Sequence, residues 1–335
     1  MKTRTGVREG VWPVLLTPFG DDLSIDWAAL DEMIDYYIAE GVAGVFANCT
    51  SSEIFDLQPE EMLQIARRIT ERAAGRIGVV ATGNIGDTLE QQRESMRRLA
   101  ATADLDAVVI STSMLPAERP IHDEIRLLMD GGEMPLGIYE APIPVHRTLQ
   151  PGEVAELAAS GRFVFLKETS RQVPVFSQKV ELARDTPMQV FQANLACLLE
   201  GGEQTGAGFA GTLVNVAPRL SRDYLLEPQR TTPWHHQARE LMLSIGNIMN
   251  QTKYPASAKY MLQRLGLRIQ TACRWHVANG FSAGDIAVID RFFDVARPAI
   301  VSVDGLWRGF RWHENDELIM KLREWSQLTT TPAVD

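Results

Sequence analysis

Lys167 stands in Phe163-Val164-Phe165-Leu166-Lys167-Glu168-Thr169, a run that opens on four apolar side chains. Side chains alternate along a strand, so Phe163, Phe165 and Lys167 are expected on one face. A buried ammonium without a partner is costly, so a lysine in such a place needs a reason. Burial lowers its pKa and frees the neutral amine to attack a carbonyl. The plainer alternative is a strand-end lysine that reaches out to solvent or pairs with Glu168. Tyr139, in Gly137-Ile138-Tyr139-Glu140-Ala141-Pro142, carries a phenol that can pass protons to a reacting centre. Simple aromatic packing is its alternative. Thr50 and Ser51 lie in Asn48-Cys49-Thr50-Ser51-Ser52-Glu53. Hydroxyls and N–H groups at such a strand end can hold a carboxylate, although ordinary loop capping would also explain them. Glu53 suits a structural hydrogen-bonding role at the same turn.

These residues need a scaffold that brings them together. Eight short apolar runs recur: Val11 to Thr17, Val42 to Asn48, Ile77 to Gly83, Ala107 to Thr112, Leu136 to Pro142, Phe163 to Thr169, Gln189 to Asn194 and Gly208 to Leu213. Each is followed by a helical pattern, as in Trp27 to Glu40, where Asp26 is placed as the N-cap. Pro59 suits the first turn of the helix it opens. Short runs that are apolar throughout fit parallel strands covered on both faces. Eight such units in about 225 residues match a (β/α)8 TIM barrel, whose active sites collect at the carboxyl ends of the strands. The rival is a doubly wound open sheet, but its Gly-rich dinucleotide fingerprint is missing after the first run, where TPFGDD stands. The expected division is a barrel over residues 8–230 and a C-terminal helical region over 231–335, packed on the barrel or at a subunit interface. Helices are expected there near Trp234 to Met249, Ala256 to Leu265, Ala283 to Ala296 and Glu314 to Trp325.

Of the 335 residues, 45% are hydrophobic and 23% charged, with a formal net charge of -10. That charge argues against a general nucleic-acid binder, which needs a basic surface. Three scattered cysteines, Cys49, Cys197 and Cys273, do not make a disulfide framework, and most of them read as small buried residues. The six histidines show no metal-ligand spacing, with no CxxC or HExxH, so no metal is expected. There is no Walker loop and no GxSxG elbow, and no cofactor is expected. The start MKTRTGVREGVW has no signal-peptide core, and no window approaches the roughly 20 apolar residues of a membrane span. A cytoplasmic location is the expectation.

Taken in order, TPF at 17–19, CTSSE at 49–53, YEAP at 139–142, KETS at 167–170 and GFAGTLVNVAP at 208–218 resemble the dihydrodipicolinate synthase and N-acetylneuraminate lyase family. The resemblance covers about residues 8 to 300. It implies a (β/α)8 barrel with a C-terminal helical region, a homotetramer or homodimer, and a small 2-oxo acid substrate without a cofactor. It implies that Lys167 forms a Schiff base with the ketone, that Tyr139 relays protons, and that Thr50 and Ser51 hold the substrate carboxylate. Glu140 and Ala210 are candidate substrate contacts. The chain also departs from the family pattern. The usual GTTGE is CTSSE, and YNxP is YEAP, which sets Glu140 beside the phenol. Pro144 stands where dihydrodipicolinate synthases carry a carboxylate-binding arginine, and Met114 and Leu115 where paired tyrosines are usual. Both losses argue against lysine biosynthesis. Arg147 could be a displaced anion binder, against the plainer reading of an exposed loop arginine.

The leading expectation is a class I lyase or aldolase acting on pyruvate or a 2-oxo acid such as a 2-keto-3-deoxy sugar acid. A dehydratase would use the same imine to expel water, and an inward Glu140 could assist it. A dihydrodipicolinate synthase-like condensation ranks lower. A non-catalytic small-molecule sensor is the alternative outside enzymes. Loops Ser113 to Arg119, Ile143 to Arg147 and Gln192 to Asn194 would set specificity.

Overall fold

The computed structural model describes residues 7–116, 119–129, 133–201, 207–226, 240, 243–248, 250–251, 253–275 and 280–302. Seven parallel strands form one sheet in sequence order. They are β1 (Gly44–Ala47), β2 (Gly78–Thr82), β3 (Ala107–Ser111), β4 (Leu136–Tyr139), β5 (Phe163–Glu168), β6 (Gln189–Gln192) and β7 (Gly208–Phe209). Helices alternate with them: α1 (Trp27–Ala39), α2 (Pro59–Ala73), α3 (Leu89–Thr102), α4 (Ile121–Leu128), α5 (Pro151–Ala159), α6 (Val173–Ala183), α7 (Leu195–Gly201) and α8 (Pro218–Leu226). Their starts follow local chemistry. Asp26 caps α1 by accepting from the Ala29 N–H at 2.9 Å. Pro59 opens α2, where its missing N–H costs no hydrogen bond.

The first apolar run, Val11 to Thr17, does not form a regular strand. It is an extended segment bonded on both sides. The Phe209 N–H donates to the Gly10 carbonyl and the Trp12 N–H to the Phe209 carbonyl, at 2.9 and 2.8 Å. On the other side, the Ala43 N–H donates to Val11, Phe46 to Pro13, and Leu15 to Phe46. Pro13 can accept but has no N–H to give, which breaks the ladder. The segment therefore joins β7 to β1, the two strands that would otherwise be sheet edges.

The strands are covered on both faces. One face gathers Trp12, Val14, Phe46, Val80, Val109, Tyr139, Phe165, Phe191 and Ala210 into an enclosed aromatic-rich cluster. The other presents Val45, Val79, Ile110, Ile138, Leu166 and Val190 to the helix layer. Trp12 fills the cluster beneath the strands, 5.7 Å from the Phe165 ring and 5.5 Å from Phe191. Gly44 and Gly78 make room for it, since a Cβ on either would meet the indole at 2.4 or 2.6 Å. The register of β4 with β5 shifts between Leu136 and Gly137. Phe163 accordingly packs on the helix side, not beside Phe165 as strict alternation suggests.

Beyond α8, the described residues include helices Ala256–Arg264 and Ala283–Ser302. The Tyr260 phenol ties them by donating to Asp290 Oδ1 at 2.8 Å. The expected helix Glu314 to Trp325, and much of Trp234 to Met249, lie outside the described residues. No described helix is long and apolar enough to cross a membrane.

Candidate active site

Lys167 lies opposite Tyr139 in the β4–β5 register, so both side chains leave the ends of adjacent strands toward the enclosed face. Lys167 is only 4% exposed. Its Nζ sits 4.3 Å from the centre of the Tyr139 ring and 5.6 Å from that of Phe46. Ring faces offer a cation some compensation, but far less than water does. Burial therefore brings the lysine pKa down from 10.5 to about 8, with the Cys49 thiol acting weakly the other way. About a tenth of the amine is then neutral at pH 7, and about half at pH 8. Burial has the opposite consequence for the Tyr139 phenol, which is held protonated well above its ordinary range; Cys49 adds to this and Thr50 opposes it. The phenol donates to Thr50 Oγ1 at 3.4 Å. A nucleophile, a proton carrier and a hydroxyl thus stand in one line of contact.

The hydroxyl loop has a firm base. Thr50–Ser52 form a single 3-10 turn after β1. Ser52 Oγ accepts from the Cys49 N–H at 3.1 Å and donates to the Leu15 carbonyl at 2.6 Å, so this hydroxyl is committed to the turn. The next residue, Glu53, has left-handed backbone (φ 60, ψ 41), which is uncommon for a side chain of this kind. Two contacts from far along the chain hold it. Lys259 Nζ donates to Oε1 at 2.8 Å and the Trp275 N–H to Oε2 at 2.7 Å. Arg274 clamps nearby, with its guanidinium on Glu61 at 2.6 Å and over the Phe19 ring at 4.5 Å. The C-terminal region thus braces the loop that carries Thr50 and Ser51.

One expectation needs correction. Glu140, a candidate substrate contact, does not face the amine. It follows Tyr139 on an alternating strand, so it turns to the helix side. There its Oε1 accepts from Lys179 Nζ of α6 at 2.7 Å and from the Leu149 N–H at 2.8 Å. The Thr169 N–H binds its Oε2 at 3.2 Å. Burial raises the Glu140 pKa against the pull of Lys179. Glu168 is not the partner of Lys167 either. It shares Lys179 at 3.3 Å and accepts from Gln192 Nε2 at 2.9 Å. Lys179, Glu140 and Glu168 are all fully buried, forming a charged knot behind the strand ends that carry Tyr139 and Lys167. Ala210 does lie in the enclosed cluster with Tyr139. Arg147 is engaged with the carbonyls of Leu115, Pro116 and Arg119, so it serves the loop and is not a free anion binder.

Three participants were not singled out from the sequence. The Cys49 thiol sits close enough to Lys167 and Tyr139 to influence both. Lys179 was legible in principle, since it falls on the inward helical stripe with Phe176, Val180 and Ala183. Tyr254, whose hydroxyl accepts from Asn215 Nδ2 at 3.2 Å, left no local signal. Among the described residues no group of three or more His, Cys, Asp and Glu side chains is placed to hold a metal ion.

The chain thus combines an α/β fold on a parallel sheet with a buried amine beside a phenol at the strand ends. The dihydrodipicolinate synthetase family model matches residues 8–279, and the chain belongs to that family. It is 25% identical over 288 residues to the 4-hydroxy-tetrahydrodipicolinate synthase of Anaplasma marginale (strain Florida), spanning 83% of this chain and 92% of the relative. It is 28% identical over 214 residues to that of Methanothrix thermoacetophila, across 63% of this chain and 71% of the relative. Dihydrodipicolinate synthase from Aquifex aeolicus shares the fold, with a TM-score of 0.76 at 18% identity, covering 87% of this chain and 98% of that one. So does YagE, a prophage protein of the family from E. coli K12 in complex with pyruvate, with a TM-score of 0.75 at 20% identity over 86% and 98% of the two chains. Members of the family are lyases that work through a Schiff-base lysine on small molecules. This chain is accordingly an enzyme of that kind and not a sensor.

Proposed function

We propose that Lys167 is the Schiff-base lysine of this chain and that its substrate is pyruvate or a 2-oxo acid such as a 2-keto-3-deoxy sugar acid. The neutral amine attacks the ketone carbon to give a carbinolamine. Tyr139, through Thr50, delivers the proton that lets water leave, and an imine forms. Thr50 and Ser51 hold the carboxylate and so fix which face of the ketone meets the amine. Once protonated, the imine takes up the electron pair of the C3–C4 bond while the C4 hydroxyl gives its proton to the Tyr139 oxygen, and the aldehyde is released. The enamine left behind takes a proton, and hydrolysis returns the amine and pyruvate. The observation that carries this reading is the placement of Lys167 Nζ, buried and 4.3 Å from the ring centre of a phenol that bonds Thr50.

The scaffold for this chemistry is a closed (β/α)8 barrel, with the described helices Ala256–Arg264 and Ala283–Ser302 in a helical region that follows it. The hydrogen bonds that join β7 to β1 through residues 10–15 support closure. The Lys259–Glu53 and Arg274–Glu61 pairs support the packing of that region on the barrel. The enzyme works in the cytoplasm as a homotetramer or homodimer, the assembly that the family resemblance implies. The names of the relatives favour a second reading, condensation onto pyruvate as in 4-hydroxy-tetrahydrodipicolinate synthesis. Pro144, in place of an anion-binding arginine, counts against it.

A panel of 2-keto-3-deoxy sugar acids tests the proposal. Release of aldehyde and pyruvate is expected from the wild type, and none from Lys167→Ala with the fold intact by circular dichroism. Water loss without aldehyde would instead make the enzyme a dehydratase. Full turnover by Lys167→Ala would refute the mechanism.

A further inference from the structure

His146 and Arg147 are neighbours in the segment between β4 and α5, and they tie it to the loops on either side. Arg147 reaches the β3–α4 loop. Its Nη1 donates to the carbonyls of Leu115 and Pro116 at 3.1 and 3.0 Å, and its Nη2 to that of Arg119 at 2.9 Å. A planar guanidinium fixes the angles among its donors, so this tie is stiff. In return, Thr112 Oγ1 donates to the Arg147 carbonyl at 2.7 Å. His146 reaches the β5–α6 loop, where its Nε2 lies 2.8 Å from Thr169 Oγ1. The direction of that contact is fixed. The one hydroxyl proton of Thr169 goes to the Glu140 carbonyl, which can only accept. His146 Nε2 is therefore the donor to Thr169. His146 is exposed and Arg147 half-buried, so the pair adds little to the core and acts mainly on how these loops are placed.

We propose that His146 and Arg147 are positioning residues for substrate specificity, which set the spacing of the β3–α4 and β5–α6 loops around the part of the 2-oxo acid beyond C3. The three loops they join leave the ends of β3, β4 and β5. Tyr139 and Lys167 stand at two of those ends, and Ser111, opposite Tyr139, at the third. Loops at the carboxyl ends of barrel strands are where substrate is enclosed. The carboxylate and ketone are served by Thr50, Ser51, Tyr139 and Lys167, and none of these depends on the clasp for its place in the fold. Pyruvate ends at C3 and stops short of the clasped loops. A chain of six carbons extends between them. This inference rests on the assignment of Lys167 as the imine-forming residue.

The test is borohydride trapping of two probes, pyruvate and 6-hydroxy-2-oxohexanoate. The second has a six-carbon chain but no C4 hydroxyl, so it can form the imine without being cleaved. His146→Ala removes the tie to Thr169, Arg147→Met removes the three ties on the other side, and His146→Gln keeps an N–H donor. The readout is the half-saturating concentration of the long probe divided by that of pyruvate. This ratio should rise about tenfold in His146→Ala and in Arg147→Met, the scale of one hydrogen bond lost between substrate and wall. It should return toward the wild-type value in His146→Gln. Pyruvate itself should saturate as in wild type, with its maximal trapping rate retained. Should Arg147→Met fold poorly, the two variants of the exposed His146 carry the test. An unchanged or lower ratio in His146→Ala would overturn the inference while leaving the Lys167 chemistry standing. So would a loss that falls equally on both probes, because that marks a general structural role. If the wild type traps neither probe, the Schiff-base assignment fails first and this inference fails with it.

Discussion

Replacing Lys167 with methionine should make the protein more stable, and the gain should depend on pH in a defined way. The side chain is 4% exposed, and its pKa is brought down from 10.5 to about 8 by loss of water around the ammonium. That fall corresponds to about 3 kcal/mol of cost for carrying the charge in the folded state. Between about 8 and 10.5 the unfolded chain binds the extra proton while the folded chain does not, so wild-type stability climbs with pH across that window. Below it both states are protonated and the full deficit is present. Methionine has similar length and keeps the packing against Phe46 and Tyr139 without the charge. Lys167→Met should therefore be about 3 kcal/mol more stable near neutral pH, with an advantage that shrinks through the window and vanishes above about 10.5. Urea unfolding of both proteins, at one protein concentration and a series of pH values, measures the difference directly, because all other titrating groups are common to the two chains. A gap that does not change with pH, or a variant less stable than wild type at neutral pH, would mean that the ammonium is well solvated and would refute the reasoning. The expected result is a catalytically dead, stabilised protein, the usual signature of a site built at the expense of stability.

The other expectations share that electrostatic basis. The rate of imine trapping at saturating pyruvate should rise with pH and level off above about 8, since only the neutral amine attacks. A flat profile across neutral pH would show that the amine is not the titrating group. Lys179→Met leaves Glu140 and Glu168 buried together without their cation, so it should cost about 3 kcal/mol or more at neutral pH. That loss should shrink as the pH falls and Glu140, whose pKa burial raises, takes up a proton, which is read from melting temperatures over a pH series. A loss that is constant with pH would point to packing instead.

Much of this arrangement was open to sequence reasoning, and the exceptions have physical causes. Tyr139 and Lys167 could be placed at adjacent strand ends because short apolar runs followed by amphipathic helices leave few topologies. Glu140 shows where a local rule was available and underused. It is the immediate neighbour of Tyr139 on a strand, so the two must face opposite ways, and an inward phenol already implied an outward carboxylate. Phe163 shows the reverse, a sound alternation rule defeated by a shift in register between β4 and β5 that no residue type announced. The run Val11 to Thr17 has strand composition, yet Pro13 limits it to isolated bonds on either side. Gly208 to Leu213 is strand only over its first two residues before Thr212–Asn215 turn. The braces on the hydroxyl loop, Lys259 and the Trp275 N–H on Glu53, join residues 206 and 222 positions apart. Periodicity within a single window carries no information about such pairs.

The proposed function depends on covalent chemistry at one lysine. The direct measurement is incubation of the wild-type enzyme with pyruvate and borohydride, followed by intact mass and peptide mapping. One reduced pyruvate adduct per chain, located on Lys167 and absent from Lys167→Met, is the predicted result. An adduct on another lysine, or none with pyruvate or any 2-oxo acid of the sugar-acid panel, would contradict it.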